Sequence, residues 1–371
     1  MKKLKMAVIG TGMAWDRLHF PALQELHEQY EVVALANPTQ EKLVKAGEKI
    51  GLSKGHLYTD YHDMLKKEEI DVVNIAVPIS MNYKVSLDVA KAGKNLICEK
   101  PLAPTLEEAA HFIEFPKKYG IRIMIAENYR YNEEINIIRN LVEEKKIGNP
   151  LYFIYHNVVN FPEEMKKDTF AGKEWRQYPD FPGGIFLDAA VHDMAAIRYI
   201  FGDMDKISAF GQPREDSFCP YTSIHSQFLF RNGLIGHFIY WTKGEESQKP
   251  AIGLRIFGTE GMIYLEDKNC GFINVFYNDG RHELIPFTPQ RGYYNEFLNY
   301  YNSIMGKEEI QVPPIVEFGD TKTIFDILKA METQQVIEVQ SMGTYLTQDM
   351  NKNKKRKGKT ATKEDKSKKP S

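Results

Sequence analysis

The chain has 371 residues, 43% of them hydrophobic and 26% charged, which leaves room for two or three globular domains and excludes a bulk disordered chain or a collagen-like repeat. Its 48 basic and 50 acidic side chains nearly balance, but the last 21 residues hold 10 of the basic and 2 of the acidic ones, which leaves 38 against 48 in the rest. This acidic body argues against nucleic acid as the main ligand.

Short apolar segments alternate with helix-like segments over residues 1–127. The apolar segments are rich in Val, Ile, Leu and Ala and almost continuously apolar, as strands of a parallel sheet covered by helices on both faces should be. The pattern predicts a doubly wound, nucleotide-binding α/β domain over these residues. We predict its strands at KMAVIG, EVVALAN, DVVNIAVP, NLICE and IRIMIAE, and its helices near residues 20–29, 39–50, 80–92 and 105–119.

After residue 150 the segments become longer and more aromatic, and their apolar and polar residues alternate. Turn signals separate several of them, for example at residues 231–233 and 278–280, so we expect antiparallel strands. The pattern predicts an α+β domain with a large, mainly antiparallel open sheet over residues 128–345. Its predicted strands are LYFIYHNVV, SIHSQFLF, LIGHFIYW, IGLRIFG, MIYLE and INVFY, and its helices lie near 186–201, 290–305 and 319–338.

Residues 346–371 are predicted to be a disordered basic tail. Its final segment, NKNKKRKGKTATKEDKSKKPS, contains no aliphatic or aromatic side chain larger than Ala361, so it cannot bury enough apolar surface to fold. The tail could be an electrostatic arm for nucleic acid, an anionic membrane or an acidic partner, but its composition favours a solubilising extension. We therefore expect no nucleic-acid partner beyond nonspecific contact by the tail.

The segment AVIGTGMAW places Gly10 and Gly12 directly after the first predicted strand. A tight turn and a close approach of the backbone to a pyrophosphate both need residues without Cβ, and the following helix would aim its N terminus at the phosphates. Trp15 takes the place of the third small residue of this pattern. An ordinary glycine turn is the alternative, but the strand before it and the βα units after it favour a dinucleotide site.

Asn37 ends the second predicted strand, where an acidic residue would bind the ribose hydroxyls of the adenosine. An amide can also bond to these hydroxyls, and its neutrality removes the charge that would repel a 2′-phosphate. The sequence therefore leaves both NAD and NADP open.

Three further residues have side chains suited to catalysis. Lys100, in NLICEKPLAP, follows a strand at the carboxyl edge of the sheet, where ligands bind in such folds, and its ammonium could hold a substrate hydroxyl. In PGGIFLDAAVHDM, Asp188 and His192 are four residues apart and so lie on one helix face. His is suited to exchange a proton near neutral pH, and a neighbouring carboxylate can orient it.

These motifs resemble the Gfo/Idh/MocA family of oxidoreductases, named for glucose-fructose oxidoreductase and inositol dehydrogenase. The resemblance rests on AVIGTGMAW, on CEKPLAP and on the WR of KEWRQYP followed by PGGIFLDAAVH, and it spans roughly residues 4–340. It implies an N-terminal Rossmann domain and a C-terminal domain whose open sheet forms homodimers or homotetramers. It also implies an enzyme that uses NAD or NADP to oxidise or reduce a sugar, polyol or inositol-like substrate.

The resemblance implies a catalytic triad of Lys100, Asp188 and His192. His192 would take the proton of the reacting hydroxyl, Lys100 would bind its oxygen, and Asp188 would orient His192. The family often has His where this chain has Asn82, and an acid where it has Asn37. Trp175 and Arg176 match the WR of the family and, with the triad, are implied substrate contacts. Asn128 and Arg130 follow a predicted strand and could reach cofactor or substrate, or could instead cap a helix that links the domains. The predicted cofactor contacts are Gly10, Thr11, Gly12, Met13, Ala14, Asn37, Ala76, Pro78, Asn82, Glu99, Lys100 and Asn128.

Cysteine and hydropathy patterns indicate the compartment. Cys98, Cys219 and Cys270 are far apart and form no CxxC or zinc-type spacing, so we expect neither a disulfide framework nor a metal site. The apolar run after MKKLK is short, and no segment approaches the ~18 apolar residues of a membrane span. We expect a cytoplasmic protein with no membrane partner.

Two alternatives accompany the leading hypothesis of an NAD(P)-dependent oxidoreductase that transfers a hydride. A bound-nicotinamide enzyme that oxidises its sugar only transiently, like the glycosidases that resemble this family, would retain its cofactor and turn over without added nicotinamide. A non-catalytic nucleotide-sensing or interaction protein is favoured by the altered glycine turn. The intact triad argues against this second alternative.

Overall fold

The apolar segments of the first part of the chain form a parallel sheet in the computed structural model, which describes residues 2–213, 218–244, 252–341 and 343–346. Its strands are β1 Leu4–Ile9, β2 Tyr30–Ala36, β3 Leu57–Tyr58, β4 Val72–Ile75, β5 Asn95–Glu99 and β6 Ile123–Ala126. They lie in the order β3-β2-β1-β4-β5-β6 and every pair is parallel. This order confirms the predicted doubly wound fold.

Short helices cover both faces of this sheet. They are α1 Phe20–Glu25, α2 Gln40–Ile50, α3 Tyr61–Lys67, α4 Ile79–Lys91, α5 Leu106–Phe112 and α6 Phe115–Tyr119. The segment predicted as one helix over residues 105–119 forms two, α5 with an N-cap at Thr105 and α6 with Pro116 in its first turn. β3 and α3 were not predicted, because β3 has only two residues and α3 carries a largely polar sequence.

A second sheet follows. Its strands are β7 Pro150–Val158, β8 Met204–Pro213, β9 Tyr221–Phe230, β10 Ile235–Trp241, β11 Gly253–Gly258, β12 Gly261–Leu265, β13 Phe272–Tyr277, β14 His282–Pro286 and β15 Ile337–Glu338. In the described residues their order is β14-β13-β12-β11-β7-β10-β9-β8-β15, and every pair is antiparallel except β7 with β10. The large, mainly antiparallel sheet is confirmed, and β8, β14 and β15 were not predicted.

The helices of this part are α7 Glu133–Glu143, α8 Phe161–Glu164, α9 Glu174–Gln177, α10 Ile185–Phe201, α11 Gly292–Ile304 and α12 Pro314–Thr333. α10 packs its apolar residues, such as Phe186 and Met194, into one hydrophobic core with strand residues such as Phe153 and Phe228. Gly184 begins this helix at φ +53°, where a Cβ would lie 2.2 Å from the carbonyl oxygen of Phe218. No helix within the described ranges is long and apolar enough to cross a membrane.

α11 packs against the first sheet. Its residues Phe297, Tyr300 and Tyr301 are buried in the same hydrophobic core as β1 and β2. The Tyr30 hydroxyl donates a hydrogen bond of 2.7 Å to the carbonyl oxygen of Phe297. The predicted boundaries at residues 127 and 345 stay predictions, and the predicted tail lies outside the described residues from residue 347 onwards.

The glycine turn after β1 is held close to β4. Gly10 adopts φ +96°, and its N–H donates a hydrogen bond to the carbonyl oxygen of Ala36. A Cβ at this position would lie 2.2 Å from the carbonyl oxygen of Ala76, whereas a Cβ at Gly12 would meet no atom within 4 Å. The first glycine is therefore required by the fold, and the second leaves space beside the backbone.

We expect Gly10→Ala to lower the free energy of unfolding by about 3 kcal/mol, because it combines a left-handed backbone with a clash against backbone. Gly12→Ala is the matched control and should change it by less than about 1 kcal/mol. Denaturant titrations followed by circular dichroism measure both. Equal midpoints for the two variants would contradict this account of the turn.

Candidate active site

A cleft of about 1960 Å³ runs along the carboxyl ends of the parallel strands and is closed on its other side by residues of the second part of the chain. Such a volume is large enough for a dinucleotide and a small second molecule. Most of the sequence-predicted residues line it, namely Gly10, Thr11, Gly12, Met13, Ala14, Asn37, Ala76, Pro78, Glu99, Lys100, Asn128, Trp175, Arg176, Asp188 and His192.

Two predicted residues do not line the cleft. The Asn82 amide is buried behind the turn after β5 and donates hydrogen bonds to the carbonyl oxygens of Glu99 (2.9 Å) and Pro101 (2.8 Å). The Arg130 guanidinium forms a buried ion pair of 2.8 Å with Asp320, which also binds Arg198. The donors of Asn82 and the guanidinium of Arg130 are thus bonded within the protein, away from the cleft.

Trp15 does not obstruct the glycine turn. Its side chain is 1% exposed and belongs to the first hydrophobic core, where its ring lies 5.6 Å from that of Phe20. It begins a π-helix over Trp15–His19, which directly follows the glycine turn. The backbone at Gly12 stays open to the cleft.

The amide of Asn37 bonds within the protein. Its Nδ2 donates to Thr11 Oγ1 (3.0 Å) and its Oδ1 accepts from the Thr39 backbone N–H (2.9 Å). It therefore joins the glycine turn to the segment that begins α2. Lys42 and Lys45 of α2 also line this end of the cleft.

A buried hydrogen-bond chain lies under Lys100. Asn74 Nδ2 donates to His19 Nδ1 (3.0 Å), so His19 Nε2 carries the hydrogen that is donated to Glu99 Oε1 (2.8 Å). The other oxygen of Glu99 accepts from the Lys100 backbone N–H (3.2 Å). Burial alone would raise the pKa of Glu99, but the His19 hydrogen bond and nearby positive charges lower it below its usual value. Glu99 thus holds the backbone of the turn that carries Lys100.

Lys100, Asp188 and Arg176 form a buried ion cluster. Lys100 Nζ donates to the carbonyl oxygen (2.6 Å) and Oδ1 (3.1 Å) of Asp188, and Arg176 Nε donates to Oδ2 of the same carboxylate. Burial favours a higher pKa for Asp188, but the two cations overcome it and hold the pKa well below its usual range. The Arg176 guanidinium also lies 4.2 Å from the centre of the Trp175 ring. Both oxygens of Asp188 are occupied by cations.

His192 contacts a different carboxylate from the one predicted to orient it. Its Nδ1 lies 2.6 Å from Oε1 of Glu127, which is fully buried at the end of β6. Its ring stacks on Tyr129 with centroids 4.5 Å apart. Burial and the charges of Lys100 and Lys268 outweigh Glu127 and lower the pKa of His192 below its usual value of 6.5. The carboxylate of Asp188, which was predicted to orient His192, contacts Lys100 and Arg176 instead.

Several residues of the site were not predicted from the sequence. Glu127 had a usable signal, since it directly follows a predicted parallel strand and precedes Asn128, which was singled out. Nothing in the sequence pointed to His19 or Lys268. His19 lies in the helix after the glycine turn, and Lys268 lies in a loop between antiparallel strands. Lys268 Nζ is 3.0 Å from the Tyr129 hydroxyl and also lines the cleft.

The cleft fits a nicotinamide dinucleotide. The open backbone at Gly12 leaves room for a pyrophosphate, and Lys100 and His192 lie in the same cleft at the carboxyl edge of the sheet. Over the described part of the chain, no group of three or more His, Cys, Asp or Glu side chains is placed to hold a metal ion.

Comparisons with known proteins agree with this fold. Residues 4–127 match the model of the oxidoreductase family with an NAD-binding Rossmann fold, and residues 135–264 match the GFO/IDH/MocA C-terminal domain. An uncharacterized protein of Saccharomyces cerevisiae is 25% identical over 319 residues, which are 83% of this chain and 90% of that protein. Levoglucosan dehydrogenase of Pseudarthrobacter phenanthrenivorans is 25% identical over 332 residues, 81% of this chain and 80% of that enzyme.

The fold is also found in solved structures. The crystal structure of an oxidoreductase from Agrobacterium radiobacter, in complex with NAD⁺, L-tartaric acid and magnesium, matches with a TM-score of 0.80 at 18% identity. The match covers 91% of this chain and 98% of that chain. Together with the two matched domains, the sheet order and the cleft, these similarities show that the chain is an enzyme of the Gfo/Idh/MocA family of NAD-binding oxidoreductases.

Proposed function

We propose that this enzyme transfers a hydride between NAD or NADP and the carbon that carries a hydroxyl or carbonyl group in a sugar, polyol or inositol-like substrate. The observation that carries the proposal is the presence of Lys100 and of a His192 with a lowered pKa in the cleft that contains the glycine turn. The bound nicotinamide would supply the hydride acceptor or donor. The protein would supply placement and proton transfer.

Lys100 and His192 take separate parts in this scheme. Two of the three Nζ–H groups of Lys100 are used by Asp188, so one remains for the substrate oxygen. The lowered pKa of His192 favours the neutral imidazole, which would accept the proton of that hydroxyl at Nε2, an atom with no partner among the described residues. Asp188 would keep Lys100 and Arg176 in place and neutralise part of their charge.

The second wall of the cleft supports a polyhydroxylated substrate. It presents the aromatic rings of Phe170, Trp175 and Tyr178 beside the polar groups of Arg176 and Lys268. Flat apolar surfaces with a few polar groups suit a compact ring with many hydroxyls. The name of the levoglucosan dehydrogenase, which matches four fifths of this chain, points to the same class.

The proposed homodimer or homotetramer has support from the second sheet. Large apolar side chains on its strands are exposed, among them Leu151, Phe210, Ile235 and Phe272. Such side chains on an open sheet are typical of an interface between subunits. The proposed cytoplasmic location has support from the cysteines, since Cys98, Cys219 and Cys270 form no disulfide with one another.

We expect Lys100→Ala and His192→Ala each to lower kcat/KM by about 100-fold or more, because they remove the oxygen ligand and the general base. The measurement is nicotinamide absorbance at 340 nm with a substrate found by screening sugars, polyols and inositols with both cofactors. His27→Ala, which removes an exposed His after α1 that does not line the cleft, is the control and should leave turnover unchanged. Unchanged turnover in both active-site variants would refute the mechanism.

The pH dependence of substrate oxidation should follow His192. Because the base must be deprotonated and its pKa lies below 6.5, kcat/KM should be level at and above about pH 7 and fall as the pH falls through that pKa. Rates measured from pH 5 to pH 9 test this. A rise of tenfold or more between pH 7 and pH 9 would contradict it.

Asn37 should decide whether the cleft tolerates a 2′-phosphate. We expect Asn37→Asp to weaken NADP binding by about tenfold or more while changing NAD binding much less. A carboxylate repels the 2′-phosphate of NADP but accepts hydrogen bonds from the ribose hydroxyls of NAD. Dissociation constants from calorimetry measure the effect. Asn37→Ser removes the bonds to Thr11 and Thr39 without adding charge, so an equal loss in both variants would show an effect of the turn only.

A further inference from the structure

We propose that Glu127, and not Asp188, is the positioning residue of His192, and that it holds the imidazole with hydrogen on Nδ1 and a free Nε2 facing the cleft. The inference rests on the proposed function for its catalytic meaning, since there His192 exchanges the substrate proton. Its structural content does not depend on the substrate.

The contact itself selects the tautomer. Glu127 Oε1 is a hydrogen-bond acceptor 2.6 Å from Nδ1 of His192, so Nδ1 must carry the hydrogen. Nε2 is neither bonded within the described residues nor buried without a partner, whereas the ring lines the cleft. The lone pair of the neutral imidazole is therefore on the nitrogen that a substrate can reach.

Glu127 is itself held rigidly. It ends β6 and caps the turn of 3₁₀-helix that follows, because its Oε1 accepts the Tyr129 backbone N–H at 3.1 Å. Its side chain is fully buried, and its second oxygen, Oε2, has no hydrogen-bond partner in the described structure. A buried carboxylate needs such donors, so the bond to His192 also stabilises Glu127.

Tyr129 and Lys268 fix the plane of the ring. The Tyr129 ring stacks on His192 with an angle of 16° between the planes. Lys268 Nζ, in the loop between β12 and β13, lies 5.2 Å from the centre of the Tyr129 ring and 3.0 Å from its hydroxyl, so it holds the stacked ring from its other end. The imidazole is thus fixed by one hydrogen bond at its edge and by one ring at its face.

Asp188 cannot perform the same task in this geometry. It lies one helical turn before His192, but both of its carboxylate oxygens accept hydrogen bonds from Lys100 and Arg176. Loss of its charge should therefore disturb Lys100 and leave the tautomer of His192 unchanged. Removing the charge of Glu127 and removing that of Asp188 should therefore affect His192 differently, which allows a direct test.

The test is ¹⁵N NMR of the imidazole nitrogens in the full-length protein without substrate, titrated from pH 5 to pH 9. His192→Gln identifies the signals of His192 by their loss. The charged and titratable groups that face His192 are Glu127, Lys100, Lys268, Glu99 and Tyr129. The variants compared are Glu127→Gln, Asp188→Asn and, as the matched control, Asp193→Asn, which removes a buried carboxylate next to His192 that bonds instead to Tyr155 and Asn157.

In the wild type we expect the neutral ring with hydrogen on Nδ1. Glu127→Gln should lower the titration midpoint of His192 by at least about half a pH unit, because it removes the charge that stabilises the imidazolium. Asp188→Asn and Asp193→Asn should leave the tautomer unchanged. A wild-type ring with hydrogen on Nε2, or a tautomer that changes in Asp188→Asn and not in Glu127→Gln, would overturn the proposal.

Kinetics separate this proposal from the proposed function. With a substrate from the screen, Glu127→Gln should lower kcat about tenfold or more, with KM and cofactor affinity nearly unchanged, and should shift the acid limb of the pH profile downwards. Asp188→Asn should lower the rate without shifting that limb. If no sugar or polyol is turned over, the proposed function fails, and the NMR result still decides the role of Glu127.

Discussion

The buried carboxylate of Asp188 is the contact on which the cleft depends. It joins three segments that are far apart in the sequence: the turn after β5, which carries Lys100, helix α9, which carries Arg176, and α10, to which it belongs. One negative charge is matched there by two positive ones that are almost fully removed from water. Removing one partner from such a cluster costs about 3–5 kcal/mol, because the other charge is left buried and unpaired. The two domains are therefore joined at the point where the reaction would take place.

Because the carboxylate of Asp188 is bonded to Lys100 and Arg176, we infer that Glu127, directly after β6, orients the imidazole of His192. The two carboxylates divide the electrostatic tasks of the site. Asp188 balances the charges of Lys100 and Arg176, and in the proposed mechanism Glu127 would balance the imidazole when it takes up a proton.

Much of the fold was predictable because its strands are long and almost continuously apolar, as at β1 and β2, or clearly alternating, as at β9 and β10. β3, with two residues, and β15, also with two, have no periodicity to detect and exist only because a neighbouring strand pairs with them. In the site, Lys100, Asp188 and His192 were found because they belong to short motifs. The hydrogen-bond partners within the site were harder to predict, because they are far apart in the sequence. Glu127 and His192 are 65 positions apart, and His19 and Glu99 are 80 positions apart.

The position of helix α11 in the first core affects the order in which the chain can fold. The core of the first sheet includes Phe297, Tyr300 and Tyr301 from this helix, so the sheet is not fully covered by the residues that precede β7. Domains usually fold in the order in which the ribosome releases them. Here the apolar surface that α11 covers stays exposed until residues 292–304 have been synthesised, and the final packing of the first sheet waits for them.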